Sequence, residues 1–85
     1  MIYKQAEIQH WAEKRGIYNY GSFSAQVKVI AEEVVEATEA HAWHKAEGTS
    51  KGLADLHKEL GDIYVGWINA CRMANISPES AIDTA

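Results

Sequence analysis

Two acidic pairs stand out for their spacing: Glu33 with Glu36, and Glu59 with Asp62. Residues three apart on a helix share a face, with Cβ atoms about 5–6 Å apart. If the two segments are helices packed antiparallel on these faces, four carboxylates converge. Such a cluster repels itself, and is tolerable where some groups take up protons or divalent cations sit among them. Hard oxygen donors without cysteine favour Mg²⁺ or Mn²⁺ over zinc. The same spacing also occurs on solvated helix faces, where a run of charge needs no ligand. Two details favour a site. Glu32, Glu33, Glu36 and Glu39 form a block with no interleaved lysine. Gly61 lies within Glu59-Leu60-Gly61-Asp62-Ile63, where a helix-weakening residue suggests close approach of another backbone.

The elements that must position these acids are helical. Ile2 to Lys14 reads as a first helix of weak amphipathicity, followed by a loop from Arg15 to Ser22 punctuated by Gly16 and Gly21. A second helix should start at Ser22 or Ser24, either of which can cap it, and run to about Ala46. Its apolar arc is Val27, Ile30, Ala31, Val34 and Thr38, with Glu32, Glu33, Glu36 and Glu39 opposite. After a loop from Glu47 to Lys51, a third helix covers Leu53 to Ala74. Leu56, Leu60, Ile63, Tyr64, Trp67 and Ile68 form its apolar side, and Asp55, Glu59, Asp62 and Asn69 a separate stripe. Asn75 is suited to a left-handed terminus. Ser77-Pro78-Glu79 combines a cap, a first-turn proline and an acid at the positive end of a helix running to about Thr84. No segment reads as a strand. The expected fold is all-α: a helical hairpin with short flanking helices.

A chain of 85 residues is one domain, 1–85, and too small to bury much of its surface alone. Cys71 is the only cysteine, so no disulfide can form within the chain, leaving metal or self-association as sources of added stability. The apolar arcs of the long helices are too wide to cover each other. The expectation is therefore a four-helix bundle completed as a homodimer or homotetramer. Twelve acidic against eight basic side chains give a net charge of −4, which argues against a nucleic-acid groove but not against a phosphate ligand bridged by cations. A single cysteine, no signal peptide and no long apolar run fit a cytoplasmic protein that does not enter a membrane.

The run Glu32-Glu33-Val34-Val35-Glu36, followed after a spacer by Glu59-Leu60-Gly61-Asp62, resembles the Glu-Glu-x-x-Glu … Glu-x-x-Asp signature of MazG-like nucleotide pyrophosphohydrolases. Gln26, six residues before Glu32, matches a glutamine often found there, and Trp11 to Gly16 is similar to the first helix of compact phage-type members. The resemblance spans about Ile8 to Ile82. It implies that Glu33, Glu36, Glu59 and Asp62 ligate Mg²⁺, or Mn²⁺ as a substitute. Glu32 would be a catalytic helper that binds metal or orients the attacking water. The implied reaction splits a nucleoside triphosphate between its α- and β-phosphates, releasing monophosphate and pyrophosphate, as in house-cleaning of (d)NTP pools. Val29 stands where members often carry a lysine; Lys28, Lys51, Lys58 and Arg72 are the available replacements.

Trp11, Tyr20 and Phe23 are candidates to stack on a base, although aromatics at helical spacing are more often core. Tyr64 and Trp67 are assigned to the core or to a dimer interface. Asn69, two turns beyond Asp62, is placed to reach sugar or phosphate, or to bond between helices. His41 with His44 lacks a third zinc ligand, and the single Glu7–His10 pair is half of what a di-iron bundle needs. Cys71 reads as a small buried hydrophobe. Two rival functions remain: a catalytically silent helical oligomerisation or regulatory module, and a pyrophosphatase restricted to dUTP or dCTP.

Overall fold

The computed structural model describes residues 1–48 and 50–85. Among them are five helices and no strand: α1 (Gln5–Lys14), α2 (Ile17–Tyr20), α3 (Phe23–Glu47), α4 (Ser50–Met73) and α5 (Pro78–Thr84). The all-α hairpin with short flanking helices is therefore observed. No helix among the described residues is long and apolar enough to cross a membrane.

The boundaries follow local chemistry. Lys4 is left-handed (φ 55°), so α1 starts at Gln5 and not at Ile2. Gly16 (φ 72°) ends the path of α1, and the segment expected to be a loop then coils into the single turn of α2. A side chain at Gly16 would meet the Tyr20 ring as well as a strained backbone. Ser22, not Ser24, caps α3: its Oγ accepts from the Ala25 amide at 3.1 Å. Gly48 (φ 63°) closes α3, its amide donating to the His44 carbonyl at 2.7 Å. Asn75 takes the expected left-handed conformation (φ 58°) after α4. The Ile76 amide then bonds back to the Cys71 carbonyl at 2.9 Å. Ser77 caps α5 with Pro78 in its first turn, as the sequence indicates.

The antiparallel pair α3–α4 is the body of the molecule. The face of α3 turned to α4 carries Gln26, Ile30, Glu33, Ala37, Ala40 and His44, in alternating steps of four and three. On α4, Gly52, Glu59 and Gly66 recur every seven residues and are all buried. A Cβ on Gly52 would lie 2.9 Å from the His44 Cα, and one on Gly66 would lie 2.8 Å from Ile30 Cγ1. The helices thus approach closely at both ends of a seam built of small residues. This corrects the expected apolar arc of α3. Val27, Ala31, Val34 and Thr38 are exposed, and Glu33, expected on the opposite arc, points into the seam. The reason is steric: glycines on α4 admit the backbone of α3 and its alanines, and leave no room for a row of valines. Gly61 is also corrected. It is exposed with nothing within 4 Å of a built Cβ, so it serves no close approach here.

The first helix packs on α4. Ala12 and Ile68 are fully buried, so Ile68 belongs to the core of the single chain and not to an exposed interface. The Tyr64 hydroxyl donates to the Tyr3 carbonyl at 2.8 Å, and the rings of Tyr64 and Trp67 meet at a tilt with centroids 6.2 Å apart. Cys71 is buried, as expected, and burial pushes its thiol pKa up.

These contacts separate the glycines by role. Gly52→Ala should destabilise by about 1–3 kcal/mol, because the His44 backbone must move. Gly61→Ala should stabilise by about 0.5–1 kcal/mol through helix propensity alone. Denaturant unfolding of both variants checks the opposite signs.

Candidate functional site

The seam brings three acids together. One carboxylate oxygen from each of Glu33, Glu59 and Asp62 lies within 4.8 Å of the other two. Glu33 comes from α3 and the other two from α4, so the group exists only because the helices pair. Glu59 is 9% exposed; Glu33 and Asp62 are half-buried. Glu36, one turn after Glu33, is exposed at the edge of the group, near enough to Glu59 for its carboxyl pKa to be raised. Glu32 is exposed and lies outside the group.

The electrostatics are those of a crowded anionic site. Hydrogen bonding with Glu59, then burial, then the charges of Asp62, Glu59 and Glu36 push the Glu33 carboxyl up to about 7. Glu36 is raised for related reasons, first its hydrogen bond with Glu59. Glu59 moves the other way, held below the usual carboxylate range chiefly by the hydrogen bond from Glu33. Protons shared between neighbours thus relieve part of the repulsion. Lys58 relieves more: its Nζ is 2.8 Å from Asp62 Oδ2 and 3.6 Å from Glu59 Oε1. Of the four basic residues considered as replacements, Lys58 is the one that reaches the acids. Lys51 pairs with Asp55 and lies over the Trp43 ring, Arg72 lies over the Tyr18 ring, and Lys28 is exposed outside the group.

Two oxygens remain unanswered. Glu33 Oε2 and Glu59 Oε2 are buried with no hydrogen-bond partner. Buried polar atoms are nearly always paired, so such orphans need an explanation. Carboxylate oxygens with free lone pairs are the donor type that hard divalent cations take, and Glu33 and Asp62 also line an open cleft.

That cleft has a volume of about 420 Å³ and is lined by Trp11, Ile17, Gln26, Val29, Glu33, Asp62, Val65, Gly66 and Asn69. Its floor is the α3–α4 seam and its walls come from α1 and α2. Trp11 is 45% exposed on one wall. Asn69 is buried, and its Oδ1 accepts from the Tyr18 hydroxyl at 2.7 Å. Tyr20, 91% exposed, lines an adjoining depression that shares Ile17, Gln26 and Val29 with the cleft. Phe23 lines a different depression with Tyr18 and Arg72, and does not face the acids. Lys28 lines neither the cleft nor its neighbours.

Of the expected site residues, the pairing of α3 and α4 therefore gathers Glu33, Glu59 and Asp62, with Glu36 at the rim and Trp11 and Asn69 along the cleft. Glu32, Lys28 and Phe23 stay outside. Ile17, Val65, Gly66 and the Tyr18–Asn69 bond had no local signal, because they are joined only by the packing of α1 and α2 on the hairpin. The chain matches no protein-family model, no curated protein and no solved structure.

A pH signature follows from Glu33. Its folded pKa lies above its unfolded value of 4.5, so the folded state holds the extra proton between about 4.5 and about 7. Stability from this group is present below the unfolded pKa and is lost as pH rises through about 7. In EDTA, the unfolding midpoint should fall between about pH 5 and about pH 8, and Glu33→Gln should flatten that fall. Thermal melts across this range read the slope directly.

Proposed function

We propose that this protein is a metal-dependent nucleoside triphosphate pyrophosphohydrolase of MazG-like type, which converts (d)NTPs to (d)NMPs and pyrophosphate in the cytoplasm and so cleans the nucleotide pool. The observation that carries the reading is the convergence of Glu33, Glu59 and Asp62, with two orphaned carboxylate oxygens, beside a cleft of about 420 Å³ that Glu33 and Asp62 line. The motif of paired acids read in the sequence agrees with it.

In this reading Glu33, Glu59 and Asp62 would hold Mg²⁺ or Mn²⁺, with Glu36 adding a donor at the rim. Bound there, the metal supplies charge neutralisation for the triphosphate and a water acidified towards neutral pH. The residues of the chain do the rest. Lys58 offers a positive charge beside the carboxylates to a phosphate oxygen. Glu32, exposed and outside the group, has no part in this reading. Trp11, Ile17, Val29 and Val65 give the cleft apolar walls.

One observation favours the rival of a silent helical module. The Lys58 ammonium already neutralises Asp62 and Glu59 without metal. Pyrophosphate release from a panel of nucleotides, in Mg²⁺ and in EDTA, separates the two. The enzyme reading expects turnover in Mg²⁺ that EDTA abolishes. Asp62→Asn and Glu59→Gln should each cut it roughly a hundredfold or more, since even partners of metal ligands cost 10–100-fold. Glu39→Gln should be mild. A folded wild-type chain that releases no pyrophosphate from any nucleotide would overturn the enzyme reading.

We also propose that a second copy completes a four-helix bundle. At about 100° per residue, Val27 and Val34 fall on one flank of α3, and Leu53 and Leu60 on the matching flank of antiparallel α4. All four are exposed, with Val34 at 48% and Leu60 at 56%. A contiguous apolar flank of this kind marks an interface, and a two-fold axis buries it on both chains. Leu60→Glu should convert the assembly to monomer in light scattering while leaving the chain helical. Ile68→Glu, by contrast, should unfold it, since Ile68 is core.

A further inference from the structure

We infer that Lys58 is a tethered counter-ion of the acidic site: its ammonium competes with a divalent cation for Asp62 and Glu59, and gives way when that cation enters. This inference rests on the metal reading above and adds to it the regulation of that site.

Lys58 and Asp62 stand four residues apart on α4, with Nζ 2.8 Å from Oδ2. On an exposed helix face such a pair is ordinary and contributes little. The same helix offers a comparison one heptad earlier. Lys51 pairs with Asp55 at 3.4 Å with the same spacing, and the two lysine side chains are alike in exposure, at 69% and 67%. What sets Lys58 apart is its second partner. Its Nζ is also 3.6 Å from Oε1 of Glu59, a residue nine-tenths buried. Its charge acts across the seam on Glu33 and Glu36 as well. Lys58 therefore serves the whole acidic group, whereas Lys51 serves Asp55 and the Trp43 ring.

The compensation it gives is partial. The ammonium reaches Oε1 of Glu59, but Oε2 of Glu59 and Oε2 of Glu33 are buried without a partner. A lysine head is tied to its own backbone and stays near water, and two-thirds of this side chain is exposed. A small dication has no stem and can bridge oxygens of two carboxylates. Competition between the two follows from distance. Mg²⁺ bonds oxygen at about 2.0–2.1 Å, so on Oδ2 of Asp62 it would stand within about 5 Å of an ammonium that is 2.8 Å from the same atom. A charge within about 4–6 Å shifts the proton affinity of an ionisable group by roughly one to three powers of ten. The same kind of repulsion acts between the two cations, so each weakens the hold of the other. The flexible four-carbon stem lets the ammonium swing into solvent at small cost. There it is free to meet a phosphate oxygen, the role given to it above.

Metal titration and amine labelling of the full chain test this. Isothermal titration with Mn²⁺ as the probe compares the wild type with Lys58→Met and Lys51→Met, each checked for helicity by circular dichroism. Lys58→Met should bind Mn²⁺ about tenfold or more tighter than the wild type. Lys51→Met removes the same charge one heptad away and should change the affinity much less. In the wild type, limited acetylation read by mass spectrometry should label Lys58 faster in Mg²⁺ than in EDTA, with Lys51 labelled alike in both. If Lys58→Met does not fold, the labelling carries the test alone. Mn²⁺ affinity that Lys58→Met leaves unchanged or lowers, or that both variants raise equally, would overturn the inference and leave the metal reading standing. So would Lys58 labelling that Mg²⁺ does not change in a wild type that binds Mn²⁺. No Mn²⁺ binding by any of the three chains removes the metal reading and this inference with it.

Discussion

Carboxylates from two helices, held within 4.8 Å of one another in a partly dry seam, repel strongly unless something positive or a shared proton stands between them. The rest of the molecule is arranged around that repulsion. Glu33 gives up its charge near neutral pH, Glu59 keeps its own, and Lys58 reaches across one turn to Asp62. Even so, one oxygen of Glu33 and one of Glu59 remain without a partner. A fold that served stability alone would fill this position with apolar side chains, because replacing buried charge by hydrophobic groups is often neutral or stabilising.

The seam can carry acids because its other residues are small. Gly52 and Gly66 let α3 and α4 close at each end, and Ala37 and Ala40 keep them close between. Close helices bring Glu33 to Glu59, but they bury little apolar area. Ile68, Asn69 and Pro78 are the largest fully buried side chains among the described residues, and one of them is polar. Valines and leucines that would normally form a core are left on the outer flank of the hairpin. The geometry that assembles the acids and the apolar flank left exposed on the hairpin therefore have one origin.

The short elements α1 and α2 turn the acidic seam into a site with a shape. Gly16 breaks the helical path after α1 and redirects the chain into one turn. That turn delivers Ile17 to the cleft wall and Tyr18 to Asn69. The acids then have a partly apolar cleft on one side, which the Gln26 and Asn69 amides also line.

The sequence by itself determined the long hairpin helices, the terminal helix and the acids, but not the turn of α2, which it read as loop. Ser22, Asn75 and Ser77-Pro78 mark helix ends through local backbone chemistry, and spacing by three places each acidic pair on one helical face. What it could not determine was which face of α3 turns inward. Val27, Val34 and Thr38 satisfy helical periodicity as well as Ala37 and Ala40 do, and hydrophobicity favours the valines. The tertiary structure chose the alanines because Gly52 and Gly66, on another helix, leave space only for backbone and small side chains. That choice carried Glu33 into the seam, left Glu36 at its rim and Glu32 in solvent, and paired Tyr18 with Asn69 across 51 residues. Such contacts depend on the fit between surfaces distant in sequence, and no window along the chain contains both sides of that fit.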